Sequence, residues 1–247
     1  MKKIAGLSMM VAALALSACG SKDDGNAVTP GKALPSVAAP AGTSWADTVV
    51  ATPDGGMLMG NPNAAVKVVE FASYTCSHCA EFSKESSEEI KRDFVNSGKV
   101  SYELRNYIRD PIDLSAAMIA RCAGPEPFFP LTDQLFANQA AIFDAVKANG
   151  GDAAYQAAMT QPPAQRFVAL AKLAGLIDFA KQRGVSEDQA RQCLADEKTA
   201  QTLSDNVAKA NDQYNIQGTP TILINGKVEE NLGTWPALRS RLKELGA

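Results

Sequence analysis

VKVVEFASYTCSHCAEF, residues 66–82, changes its period halfway along. From Val66 to Tyr74 it is β-branched and aromatic, the composition of a strand. From Cys79 to Arg92 the pattern is helical, with Phe82, Ser86 and Ile90 on one side and Glu and Lys on the other. Cys76 therefore stands where a strand hands over to a helix N-terminus. Unpaired N–H groups and the helix dipole favour an anion there, and a thiolate is such an anion, so the Cys76 pKa should fall. Val100–Ile108 (VSYELRNYI) alternates and reads as the next strand. The unit is strand, helix, strand around a Cys-x-x-Cys.

Further along, GTPTILING (218–226) reads as a turn, a proline at a strand's first position, a short apolar strand and an Asn-Gly turn. Lys227–Leu232 can pair back as a hairpin, and Thr234 can open a last helix with Leu238, Leu242 and Leu245 as its apolar positions. Between the two motifs, about Pro111 to Asn211 is Ala-rich and helical in period. Phe167, Leu170, Leu173, Ala174 and Ile177 share one face of a helix that stops at Gly184. Ser186-Glu187-Asp188-Gln189 is a capping-box pattern for the next helix. Met118, Phe128 and Phe129 read as core.

The 247 residues are 46% apolar and 21% charged, which fits a globular chain and neither wholesale disorder nor a multi-span membrane protein. A net charge of -3 with no basic block argues against nucleic acid as a partner. His78 is the single histidine, so zinc sites built on two or three histidines are excluded. No G-x-G-x-x-G, G-x-x-x-x-G-K-[ST] or G-x-S-x-G is present. Lys2, Lys3 and the short apolar run Leu7–Ala18 read as a secretory signal peptide, too short to span a bilayer. The run ends Leu16-Ser17-Ala18-Cys19, which resembles a bacterial lipobox; that resemblance implies cleavage before Cys19 and lipid on it. Gly20–Ser44 is rich in Gly, Pro, Ala, Ser and Thr and reads as a flexible tether. Setting Cys19 aside leaves Cys76, Cys79, Cys122 and Cys193, an even number that suggests disulfides in an exported chain. With one Cys-x-x-Cys and no second knuckle, structural zinc is not expected. A soft metal on Cys76, His78 and Cys79 stays open as an alternative.

FASYTCSHCAEF and GTPTILING resemble the DsbA-like thiol:disulfide oxidoreductases of the thioredoxin superfamily, over roughly residues 45–247. The resemblance implies Cys76 as the attacking cysteine, Cys79 as the resolving one, and Pro220 as a cis-proline beside them, preceded by Thr219. Such proteins often carry an acid where Glu70 stands, beneath the disulfide. A buried carboxylate there has a raised pKa and can accept the resolving cysteine's proton; the alternative is a solvent-facing strand carboxylate. His78 can stabilise the thiolate or simply sit on the surface. Ser77 replaces the proline common in the family, which predicts a Cys76 pKa between those of DsbA and thioredoxin and a weaker oxidant than DsbA. Cys122 and Cys193 either pair, closing a loop of about 70 residues worth roughly 4 kcal/mol, or are two separate buried thiols.

The expected fold is α/β: a thioredoxin-like domain over 45–110 and 212–247, with an inserted all-helical domain over 111–211. A signal peptide (1–18) and a lipidated tether (19–44) precede it. The expected function is a thiol:disulfide oxidoreductase, periplasmic or extracytoplasmic and membrane-anchored. Its Cys76-Ser77-His78-Cys79 site would introduce disulfides into exported client proteins with free thiols. No diffusible cofactor is implied. By resemblance, a quinone-linked membrane oxidase would reoxidise the pair. A reductase or isomerase of the same fold, and a non-catalytic metal-binding lipoprotein, are the alternatives.

Overall fold

A computed structural model describes residues 31–247. The signal peptide, Cys19 and the first part of the expected tether lie outside the described residues. Within them, six strands form one sheet: β1 (Val49–Ala51), β2 (Met57–Gly60), β3 (Val66–Ala72), β4 (Val100–Asn106), β5 (Thr221–Ile224) and β6 (Lys227–Glu229), in the order β1-β2-β4-β3-β5-β6. β3 is central. It runs parallel to β4, from Val66 opposite Val100 to Ala72 opposite Asn106. It runs antiparallel to β5, with Phe71 opposite Thr221. Both faces of β3 are covered, so only Lys67 of its seven residues is exposed. That is the pattern of a strand buried on both sides.

Alternation along β3 assigns its two faces. Val66, Val68 and Ala72 join the main core with Phe82, Leu104 and Tyr102, and Glu70 shares their face. Val69 and Phe71 turn the other way, into a smaller cluster with Ala210, Ile216 and Leu223.

α1 (Ser77–Glu89) connects β3 to β4 and continues as a π-helical turn over Ile90–Val95. The expected helix 79–92 therefore starts two residues earlier and ends in a wider turn that buries Ile90, Phe94 and Val95. α2 (Pro111–Arg121), α3 (Phe128–Ala137), α4 (Gln139–Ala148), α5 (Gly151–Met159), α6 (Pro163–Leu173), α7 (Leu176–Lys181), α8 (Glu187–Leu194) and α9 (Glu197–Tyr214) follow β4, and α10 (Trp235–Glu244) closes the chain. Met118, Phe128 and Phe129 are buried in the core. The single helix expected over the Phe167–Ile177 face is two helices. Gly175 sits between them at φ +71, a left-handed conformation that glycine adopts without strain and that breaks the run. Ser186 caps α8, its hydroxyl accepting from Gln189 N at 3.2 Å.

Two expectations about boundaries shift. α9 runs past residue 211 to Tyr214, and its Ala210 packs on the second face of the sheet, so this helix serves both parts of the fold. The second part of the expected tether, 31–44, is docked on the body: Leu34 N donates to Gly246 O (2.8 Å), Val37 N to Ser97 O (2.9 Å) and Trp45 Nε1 to Val37 O (2.7 Å). Composition suggested a coil there; backbone hydrogen bonds to the C-terminus and to the turn after α1 hold it instead.

Candidate active site

Cys76 is the N-cap of α1, in extended backbone at φ −92 and ψ 118. Its carbonyl accepts the first helical bond, from Ala80 N at 3.1 Å. Cys79, one turn in, is fully buried, and Cys76 is 4% exposed. Neither is bonded to another cysteine in this structure. The antiparallel pairing of β5 with β3 brings the residues before Thr221 alongside Cys76. There the Thr219–Pro220 bond is cis and the Cys76 thiol donates to Thr219 O at 3.2 Å.

A groove of about 400 Å³ opens over Cys76. Ser77, His78, Tyr107, Arg109 and Gln217 to Thr219 line it with Cys76. An openly exposed Cys76 is the expectation for an attacking sulfur; instead it is buried and lines this groove, while Cys79 does not.

The two thiols are driven apart in acidity. The Cys76 pKa falls from the ordinary 9.0 to about 5, chiefly because the Cys79 thiol hydrogen-bonds to it. The Thr219 side chain and the backbone N–H groups of Cys79 and His78 add to this, and burial opposes it. Burial pushes Cys79 far above the ordinary thiol range, with its bond to Cys76 and the nearby Glu70 adding. His78 thus acts on the thiolate through its backbone N–H, and its ring is exposed.

Glu70 is 1% exposed on the core face of β3, not at the solvent. Burial raises its pKa from 4.5 to about 7. The Tyr102 hydroxyl, from the neighbouring strand, donates to Oε2 and opposes that rise, while Oε1 has no partner among the described residues. A cavity of about 10 Å³ touches Glu70 and Tyr102 and extends to the Lys91–Asp133 ion pair, on the order of one water in size. Cys122 and Cys193 are joined in a disulfide with Cα atoms 5.6 Å apart, linking the end of α2 to α8. Among the described residues, no three His, Cys, Asp or Glu side chains converge to hold a metal ion, so Cys76, His78 and Cys79 do not form such a group.

Sequence reasoning missed the residues that hold the loop before Cys76. Asp113, fully buried on α2, accepts from Ser73 Oγ (2.6 Å), Tyr74 N (2.8 Å) and Arg109 N (2.9 Å). Burial nonetheless raises its pKa to about 7. Asp110 caps α2 and accepts from Thr75 Oγ1 at 2.6 Å. Gln139, the first residue of α4, donates to Tyr74 O (2.8 Å) and Cys76 O (3.0 Å). Asp110-Pro111 carries a visible N-cap signal. Asp113 looks like an ordinary first-turn acid, and nothing in sequence marks Gln139.

Comparison with known proteins agrees with this geometry. A thioredoxin family model matches residues 52–244. A crystal structure described as a protein-disulfide isomerase from Novosphingobium aromaticivorans is 36% identical, with a TM-score of 0.73, covering 78% of this chain and 99% of that one. The alpha-DsbA1 of Wolbachia pipientis shares the fold, with a TM-score of 0.59 at 22% identity over 76% of this chain and 89% of that one. A Rickettsia bellii protein provisionally named a protein-disulfide oxidoreductase is 27% identical over 71% of this chain. The chain spans 59% of that relative's length. With the family model matching most of its length and the paired cysteines standing at the start of the first helix, the chain belongs to the thioredoxin family.

Proposed function

We propose that the protein is a thiol:disulfide oxidoreductase that passes its Cys76–Cys79 disulfide to exported proteins with free thiols. The observation that carries this reading is the asymmetry of the pair: Cys76 is a stabilised thiolate under an open groove, and Cys79 is buried and strongly basic. In the oxidised protein a client thiolate attacks Cys76 Sγ. The Cys76–Cys79 bond breaks and Cys79 leaves with the electron pair. Its high proton affinity requires a proton, and Glu70, a neutral acid near pH 7 and close to Cys79, supplies it. A second client thiolate then attacks the client sulfur of the mixed disulfide, and Cys76 departs as a thiolate. Two electrons have moved from client to enzyme, and the low pKa of Cys76 makes it the better leaving group. Both steps exchange only sulfur–sulfur bonds, with Glu70 supplying the proton and no diffusible cofactor.

The Cys-x-x-Cys of an exported oxidase needs an oxidising partner, and a quinone-linked membrane oxidase is the partner in this reading. Lipid on Cys19 would hold the protein at an extracytoplasmic membrane surface; a Cys19→Ser variant that stays membrane-bound on fractionation refutes that part. The name of the Novosphingobium relative favours a second reading, in which the same site isomerises disulfides. Thiol trapping in the cell separates the two: an oxidase rests with Cys76 and Cys79 bonded, an isomerase or reductase with both free.

A further inference from the structure

We propose that Gln139 is a positioning residue for the reactive thiolate, acting from the helical insertion through the backbone of Cys76. Both protons of its amide are committed, one to Tyr74 O at 2.8 Å and one to Cys76 O at 3.0 Å, and the side chain is 8% exposed. Those two carbonyl oxygens are the negative ends of the peptide dipoles flanking Thr75 and Cys76, the second belonging to the residue whose sulfur must carry a charge. Hydrogen bonding from Gln139 offsets that unfavourable field. It also fixes the plane of the Cys76–Ser77 peptide, because carbonyl and following N–H share one rigid plane. That plane opens the helix whose next N–H groups, those of His78 and Cys79, bond the sulfur. The same loop is held on its other side by Asp113 and Asp110, so the insertion anchors Ser73 to Cys76 from two helices.

The titratable and charged groups around Cys76 are Cys79 and His78 on its own helix and Glu70 on β3. Tyr107 and Arg109 stand on the groove wall, and Asp110 and Asp113 at the start of α2. A neutral substitution at Gln139 changes none of them, so any shift in Cys76 acidity reports the lost donors. This inference rests on Cys76 being the attacking thiol.

The test is ultraviolet titration of the Cys76 thiolate, with a glutathione redox titration, in the full-length protein and two variants, Gln139→Met and Gln139→Asn. Asn keeps the polarity in a site that Met makes apolar, but is too short to reach both carbonyls, so a folded variant is available from one or the other. The expected result is a thiolate midpoint raised by about one unit with Met and in the same direction with Asn. With Met, the equilibrium constant with glutathione shifts about tenfold towards the oxidised protein, or roughly 30 mV. A variant that is less stable but keeps both the wild-type midpoint and the wild-type equilibrium constant overturns the proposal and leaves Gln139 a packing contact. If wild-type Cys76 itself has an ordinary thiol midpoint, it is the reading of the active site that fails.

Discussion

Replacing Glu70 by Gln should make the protein's stability less dependent on pH, by an amount the structure sets. Burial raises the Glu70 pKa from 4.5 to about 7. A carboxyl whose folded pKa lies above its unfolded one binds more protons in the native state, so stability falls as pH rises between the two values. The loss is present in full above pH 7 and absent below about pH 4.5. About 2.5 units at 1.36 kcal/mol each comes to about 3 kcal/mol. Gln does not ionise, so the stability of Glu70→Gln relative to wild type should improve by about 3 kcal/mol from pH 4 to pH 8. Its constant offset is set by how the Gln amide fits beside Tyr102. Asp113, also raised to about 7, titrates in both proteins and cancels from the difference. Urea unfolding of the oxidised proteins at the two pH values measures it without interference from the thiols. A difference that is the same at pH 4 and pH 8, or that moves in favour of wild type, refutes the assignment of Glu70 as a buried acid that stays neutral up to pH 7.

Cys79→Ala should accumulate a mixed disulfide between Cys76 and a reactive client or reagent disulfide, because no thiol remains to resolve it; intact-mass analysis reads this directly. Removing the Cys122–Cys193 bond with Cys122→Ala and Cys193→Ala should cost roughly 4 kcal/mol of unfolding free energy in the chain-entropy model while disulfide transfer by the folded protein persists; loss of transfer in the folded double variant contradicts a purely structural role. Glutathione titration of the wild type should give a potential more negative than the −120 mV of DsbA, since a Cys76 pKa of about 5 stabilises the reduced form less than the roughly 3.5 of DsbA does.

The parts of the fold legible in sequence are those that local patterns dictate. The strand-to-helix switch at Cys76 placed that cysteine at the N-cap of α1, and Gly-Thr-Pro-Thr placed β5. The central position of β3, and therefore the burial of Glu70, depends on which strands pair with it, and no local pattern carries that. The helix break at Gly175 hid because the apolar stripe continues across it and one glycine is tolerated in many helices. Asp113 and Gln139 were invisible for a related reason. Asp113 accepts from Tyr74 N and Gln139 donates to Tyr74 O, nearly 40 and more than 60 residues away in sequence, and a main-chain partner leaves no trace in residue type. The docked 31–44 segment has the composition of a coil because backbone hydrogen bonds hold much of it, with Leu34 packed against the core.

The central claim is that Cys76 is the acidic, accessible partner of a buried, basic Cys79. Alkylation of the freshly reduced protein across pH 3–9, with the modified cysteine mapped by mass spectrometry, tests it most directly. Modification should occur at Cys76, with a midpoint near pH 5, and Cys79 should stay unmodified throughout. First modification at Cys79, or a Cys76 midpoint in the ordinary thiol range near 8.5, contradicts it.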